Sequence, residues 1–197
     1  NMTSPYNQNL DQNPANHQPL TPLTFLERAA NVFPDQVAII HGDLRQNYLN
    51  LYTRSVKLSS ALNKAGIKRG DTVSALLPNT PAMLECHYGV PMSGAILHSI
   101  NTRLDAAVIS FQLNHAESKI MIVDSEYIAL AKEALKHTKN KPKIIEYDDI
   151  EYIGKREKFK SINYDDFLNE GDETFEWLMP EDCLLYTSDA ADEIVRV

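Results

Sequence analysis

Residues 70–104, GDTVSALLPNTPAMLECHYGVPMSGAILHSINTRL, constrain the fold more than any other stretch of the chain. Residues 73–77 are an apolar run broken only by Ser74, the pattern of a strand covered on both faces. Pro78-Asn79-Thr80-Pro81 then stops that strand and opens a helix. Asn79 or Thr80 offers a side-chain oxygen to the free helical N–H groups. Pro81 fits the first turn, where its missing N–H costs nothing. Met83, Leu84, His87, Tyr88, Pro91 and Met92 follow at three- and four-residue spacing, and Gly94 ends the helix. Residues 95–100 are a second apolar run. Strand, capped helix and strand make a βαβ unit, which requires a parallel sheet with helices packed on it.

The flanking segments extend the alternation. A helix is expected over 21–32, capped by Thr21, with Leu23, Leu26, Ala30 and Phe33 at helical spacing. Strands are expected at 37–41 and 44–47, joined by the Gly42-Asp43 turn. Asn47 caps the next helix, on which Leu51, Ser55, Leu58, Leu62 and Ala65 line one face while Arg54, Lys57 and Lys64 meet water. Gly66 stops it. Beyond the central unit come a helix over 105–114, a buried strand at 119–124, a helix opened by Ser125 and running through His137, and a strand at 142–146. The expected fold class is therefore α/β, a layered parallel-sheet subdomain with flanking helices.

Two segments stand apart. Residues 1–19 are rich in Asn, Gln and Pro and are read as a flexible lead-in. Residues 151–177 scatter aromatic side chains among charges and read as a surface excursion with one short helix from Tyr164 to Glu170.

Composition closes off several functions. The formal charge of −8 argues against a nucleic-acid groove, which needs clustered Lys and Arg. No apolar run reaches the length of a membrane span. Cys86 and Cys183 are too far apart to suggest a metal motif or a disulfide framework, so a reducing cytoplasm is expected.

Individual residues weigh toward structure. His87, in mid-helix, reads as a satisfied half-buried histidine, and Cys86 as a small buried hydrophobe. Asn101 and Arg103 read as loop anchors, although the carboxyl end of a parallel strand is also where ligands gather. Lys155-Arg156-Glu157-Lys158 reads as a solvated face. The acidic pairs Asp148-Asp149 and Asp165-Asp166 lack a second ligand cluster, so no metal site is assigned. The residues offer no catalytic, cofactor-binding or metal-ligating set.

The motifs Pro78-Asn79-Thr80-Pro81, Ser93-Gly94-Ala95 and Asn101-Thr102-Arg103-Leu104 resemble the first subdomain of the AMP-forming acyl-activating synthetases. His87-Tyr88-Gly89-Val90-Pro91-Met92 favours their acyl-CoA synthetase branch over peptide-synthetase adenylation domains or luciferase-like oxidases. The resemblance spans residues 20–182 and marks them as part of an AMP-dependent synthetase N-terminal domain. It implies a parent that joins a carboxylic acid to AMP using ATP and Mg2+, then passes the acyl group to CoA. It also implies that the catalytic lysine and most of the acyl pocket lie downstream, and that a homodimer interface is possible. The alternative is a non-catalytic α/β binding or interaction domain derived from such an enzyme.

The family's phosphate-binding loop, Tyr-Thr-Ser-Gly-Thr-Thr-Gly and then a basic residue, is not completed. Tyr186-Thr187-Ser188 is followed by Asp189-Ala190-Ala191-Asp192-Glu193. A carboxylate about 4 Å from a phosphate charge costs about 4 kcal/mol at an effective dielectric near 20. Glycine, which lets backbone N–H groups close on phosphate, is missing as well. Residues 183–197, beginning CLLYTSDAADE, resemble a translated sequencing adapter and are expected to be non-native. The 197-residue chain is therefore expected to bind no cofactor and to be inactive.

Overall fold

The structure, a computed structural model, describes residues 21–177 and the backbone of 185–187. The first helix, α1 (Pro22–Val32), begins where Thr21 Oγ1 accepts from the Leu23 N–H. A hairpin follows, β1 (Val37–His41) against antiparallel β2 (Leu44–Asn47). Gly42 turns it with φ +55°, in the left-handed region that suits glycine. Asn47 caps α2 (Tyr48–Lys64) by accepting from the Asn50 N–H.

The alternation then runs β3 (Thr72–Leu76), α3 (Pro81–Met92), β4 (Ile96–Ser99), α4 (Ala106–His115), β5 (Ile120–Asp124), α5 (Ile128–Lys136) and β6 (Lys143–Tyr147). After it come β7 (Ile162–Asn163), α6 (Tyr164–Asn169) and β8 (Leu185–Thr187). The strands from β3 onward form one sheet of order β7-β6-β5-β3-β4-β8, with every pairing parallel. This is the α/β class expected from the βαβ punctuation.

Both faces of the sheet are covered, as the apolar runs require. Val73, Ala75, Ile120 and Ile122 point to a layer built from α2, α3 and α6, with Leu58, Leu62, Cys86, Val90 and Phe167. Their neighbours Leu76, Met121 and Val123 point the other way, onto Ile109, Leu113, Ile128 and Ala131 of α4 and α5. A third cluster joins Leu23 and Leu26 of α1 to Ile39, Leu51, Val56 and Met92.

Helices α2 and α3 meet at Gly89. A Cβ there would sit 2.8 Å from the Ser55 carbonyl oxygen and 2.8 Å from Leu58 Cδ2. Alanine improves helix propensity by about 1 kcal/mol but must push two helices apart, which costs about 1–3 kcal/mol. Gly89→Ala should therefore melt below the parent in a thermal denaturation followed by circular dichroism. A melting temperature at or above the parent's would contradict the close approach.

Several expectations need correction. Ala65 is exposed at the end of α2, while Arg54 turns inward to an ion pair instead of facing water. On α3, Leu84 is 37% exposed and Glu85 is 1% exposed, because α2 covers the Glu85 side. Thr80 forms the cap position of α3 without a side-chain capping bond; its hydroxyl donates back to the Pro78 carbonyl at 3.3 Å. Ser125 does not open α5. Asp124 accepts from the Glu126 N–H and starts a 3-10 turn that leads into it.

The largest correction concerns residues 151–177. The short helix forms as α6, but residues 162–168 are no surface excursion: β7 extends the sheet and α6 buries Tyr164, Phe167 and Leu168 in the core, while residues 153–156 stay exposed. The readings placed on residues 1–19, and on 183–197 apart from the 185–187 strand, lie outside the described residues.

Candidate functional site

Parallel strands present their carboxyl ends along one edge, where loops form the crevice that ligands use in α/β sheets. Here that edge carries Asn79 and Thr80 after β3, Asn101 and Arg103 after β4, Asp124 and Ser125 at β5, and Asp148 and Asp149 after β6. Asn101 Oδ1 accepts from the Arg103 N–H at 3.0 Å and tightens the turn. His41 Nε2 lies 2.6 Å from Asp149 Oδ1 and fastens the β1–β2 hairpin to this edge. Between hairpin and α3 opens a cleft of about 400 Å3, lined by Ile39, Ile40, Thr80, Met83, Leu84 and His87 among others. His87 Nδ1 is bonded to the Met83 carbonyl oxygen at 2.8 Å.

The electrostatics of the edge are acidic. Asp124 is fully buried, and burial raises its pKa to about 6. The Glu126 N–H bond pulls down, whereas Asp149, Glu126 and Asp148 push up. Asp124 Oδ2 is buried without a hydrogen-bond partner. The acids after β6 are held by neighbours: Lys158 pairs with Asp148, His41 with Asp149, and Arg156 donates to the Asp149 carbonyl. No group of three or more His, Cys, Asp or Glu among the described residues is placed to hold a metal ion.

A second buried polar cluster escaped the sequence reading. Ser74 Oγ lies 2.8 Å from His98 Nδ1 and 2.5 Å from Ser118 Oγ. All three residues are buried, so the serine–histidine pair is closed to substrate and links β3, β4 and the turn before β5. Burial, with a small contribution from the His115 charge, holds the His98 pKa down at about 4.

His98 and Asp124 act oppositely on stability. An unfolded histidine titrates near 6.5, so between about pH 6.5 and 4 the unfolded chain takes a proton that folded His98 refuses. Stability falls as pH drops through that window. Asp124 keeps its proton in the fold between pH 3.8 and about 6, where the unfolded chain has lost it, so stability falls as pH rises. The two slopes nearly cancel between about pH 4 and 6. Asp124→Asn keeps the capping oxygen and removes one slope. It should gain about 2–3 kcal/mol at pH 7, then lose a similar amount between pH 6.5 and 4. Urea denaturation across this pH range checks it. Parallel profiles for parent and variant would refute the opposed pair.

The model of the AMP-binding enzyme family matches residues 26–188. The chain belongs to this family. The AMP-binding domain is 40% identical over 184 residues to an acetate–CoA ligase of Humulus lupulus, covering 88% of this chain and 32% of that protein. It is 43% identical over 175 residues to a probable acyl-activating enzyme of Arabidopsis thaliana, covering 85% of this chain and 32% of the other. The chain thus spans about a third of the length of the curated relatives it matches. Among solved structures, an anthranilate CoA ligase in complex with anthranoyl-AMP superposes with TM-score 0.71 at 19% identity, over 79% of this chain and 29% of that one. A benzoate CoA ligase from Burkholderia xenovorans gives TM-score 0.71 at 15% identity, over 83% of this chain and 32% of that one. At these identities the superpositions establish a shared fold.

Within the AMP-binding domain, the weighed residues fall mostly into structural places. Burial pushes the Cys86 thiol pKa up and the Glu85 charge adds to it, so the sulfur is inert. Asp148 pairs with Lys158 and Asp149 with His41. Asp165 accepts from Arg54 Nη2 at 2.8 Å, and Glu157 from Lys132 at 3.0 Å. Arg156 donates to the Asp149 and Tyr152 carbonyls, so the run around it is tied down as well as solvated. Tyr186 and Thr187 sit in β8, opposite His98 and Ser99 of β4. Ser188 lies outside the described residues. No helix among the described residues is long and apolar enough to cross a membrane.

Proposed function

We propose that the chain is the amino-terminal supporting portion of an acyl-CoA ligase and is inactive by itself. The observation that carries this reading is the roughly 40% identity to curated CoA ligases and acyl-activating enzymes over more than four-fifths of the chain. The whole enzyme would convert a carboxylic acid and ATP, with Mg2+, to an acyl-adenylate and pyrophosphate. CoA would then displace AMP to give the acyl thioester. This portion contributes the sheet, its covering helices and one wall of the crevice. It supplies no residue to the reacting atoms.

The acyl group, fatty or otherwise, belongs to the same proposal, as does a homodimeric parent. We place the parent in the cytoplasm. Some Arabidopsis thaliana relatives carry a peroxisomal designation, and fractionation of the source cells distinguishes the two. We also propose that residues 183–197 are foreign to the gene, with 20–182 as the native partial domain. The backbone pairing of residues 185–187 with β4 depends little on side-chain origin. A continuous genomic copy encoding Asp189 onward would defeat that part.

The test joins residues 1–182 to the carboxyl-terminal remainder of the Humulus lupulus ligase and assays the chimera with acetate, butyrate, long-chain and aryl acids. ATP-dependent acyl-CoA formation is expected. The competing reading, a non-catalytic interaction module, draws on the acidic carboxyl edge. It gains if the soluble, folded chimera forms no thioester with any acid.

A further inference from the structure

Charge is segregated along the strands. The turns that lead into β3, β5 and β6 meet at the amino edge of the sheet, opposite the acidic carboxyl edge. They carry Lys68, Arg69, Lys119, Lys139 and Lys141, with Lys143 at the start of β6, and all six residues are exposed. Two acids, Asp71 and Glu117, stand among them, which leaves this edge at +4 in a chain of formal charge −8. The backbone joins the cations into one surface. The Lys143 N–H donates to the Lys119 carbonyl at 2.8 Å, and the Lys119 N–H to the Thr72 carbonyl at 3.0 Å. Helix α4 ends beside them, where Asn114 Oδ1 accepts from the Lys139 N–H at 2.8 Å. On that helix Phe111 is 62% exposed and stacks on His115 with ring centroids 5.9 Å apart. Val108, one turn earlier, is 39% exposed.

We propose that this amino edge, a row of lysines flanked by Phe111 and Val108, docks the domain on an anionic phospholipid surface. The inference goes beyond the ligase reading and does not depend on it. Charge complementarity calls for an anionic partner, and the net charge of the chain does not cancel the attraction. Strands β3, β5 and β6 are five residues long, so the acids of the carboxyl edge lie about 16 Å away, about two Debye lengths at physiological salt. Lys119 pairs with Asp71 at 2.7 Å, whereas Lys139 and Lys141 enter no ion pair among the described residues. Two observations select lipid over other polyanions. Five of the six cations are lysine, a point charge without the planar fork that reads bases or grips a carboxylate through two bonds. The apolar side chains flank the row of cations instead of alternating with it. Lipid headgroups and the acyl boundary beneath them suit that division, whereas a nucleic-acid groove places aromatic platforms along its line of cations.

Co-sedimentation with vesicles tests it, with circular dichroism to verify that each variant is folded. The 197-residue chain should bind vesicles of phosphatidylcholine mixed with phosphatidylserine, release them in high salt, and ignore vesicles of phosphatidylcholine alone. Lys139→Gln together with Lys141→Gln should weaken binding about thirtyfold, the usual contribution of two lysines close to an anionic surface. Arg103→Gln together with Lys155→Gln, in exposed loops after β4 and β6, changes the net charge equally and should leave binding within about twofold. In Phe111→Trp the added indole should shift its emission to the blue on mixed vesicles and be quenched by brominated lipid, over a constant signal from Trp177. Absence of binding to the mixed vesicles overturns the inference. Equal binding to neutral vesicles, an equal loss in the two paired variants, or an unshifted emission does the same. Capture of polyuridylate in place of vesicles overturns it in favour of a nucleic acid. Masses that grow with concentration in light scattering, and shrink in the Lys139 and Lys141 variant, overturn it in favour of a second copy set head to tail.

Discussion

Phe167→Ala is expected to cost about 3–5 kcal/mol of unfolding free energy, the range for deleting a fully buried phenylalanine. Phe167 has no exposed surface and packs with Leu58, Leu62 and Ile145 beneath α2. Its ring also lies 5.6 Å from Lys143 Nζ, a contact the alanine variant loses. The loss measures how far α6 belongs to the core. Denaturant titration of parent and variant decides it, and a difference under 1 kcal/mol would return residues 151–177 to the surface.

Arg54→Met is expected to cost about 2–4 kcal/mol. Glu85 is 1% exposed and is held by four groups: Arg54 Nε at 2.6 Å, Arg54 Nη2 at 3.2 Å, Tyr164 OH at 3.0 Å and Gln46 Nε2 at 3.2 Å. The network ties β2, α2, α3 and α6 together through one carboxylate. Methionine keeps the apolar stem of arginine but leaves a buried anion with only neutral donors. Stranding a buried charge costs about 3–5 kcal/mol. The lower range is appropriate because the Arg54 side chain is about a third exposed and water screens part of the pair. Adding Glu85→Gln to Arg54→Met should recover most of the loss. If the double variant is less stable than Arg54→Met alone, the cost arises from lost packing and not from the unpaired carboxylate.

The sheet was legible because its punctuation is local. Pro78, Pro81, Gly94 and the capping residues Thr21 and Asn47 lie beside the elements they bound. Apolar runs of four to six residues between them identify strands covered on both faces. The polar networks were illegible because their partners are remote in sequence. Arg54 and Glu85 are 31 positions apart, Glu85 and Tyr164 79, and His41 and Asp149 108. A lone Glu85 in a helix otherwise rich in apolar residues was the available hint. The helical spacing of Tyr164, Phe167 and Leu168 likewise showed an apolar face that the surrounding charges obscured.

The candidate site was legible only in pieces. The Asp148-Asp149 pair and the loop residues Asn101 and Arg103 stood out in the sequence, but not that they share the carboxyl edge with buried Asp124. The cleft was not foreseen, because it depends on Leu84 facing outward and on a hairpin anchored from the far end of the chain.

In the proposed function, this domain supports a nucleotide site without gripping the nucleotide itself. Calorimetric titration of Mg2+ and ATP into the purified 197-residue chain, with the chimera titrated alongside, should show no saturable binding to the chain and saturable binding to the chimera. Saturable ATP binding to the chain alone, weakened by substitution of Thr187 or Ser188, would contradict it.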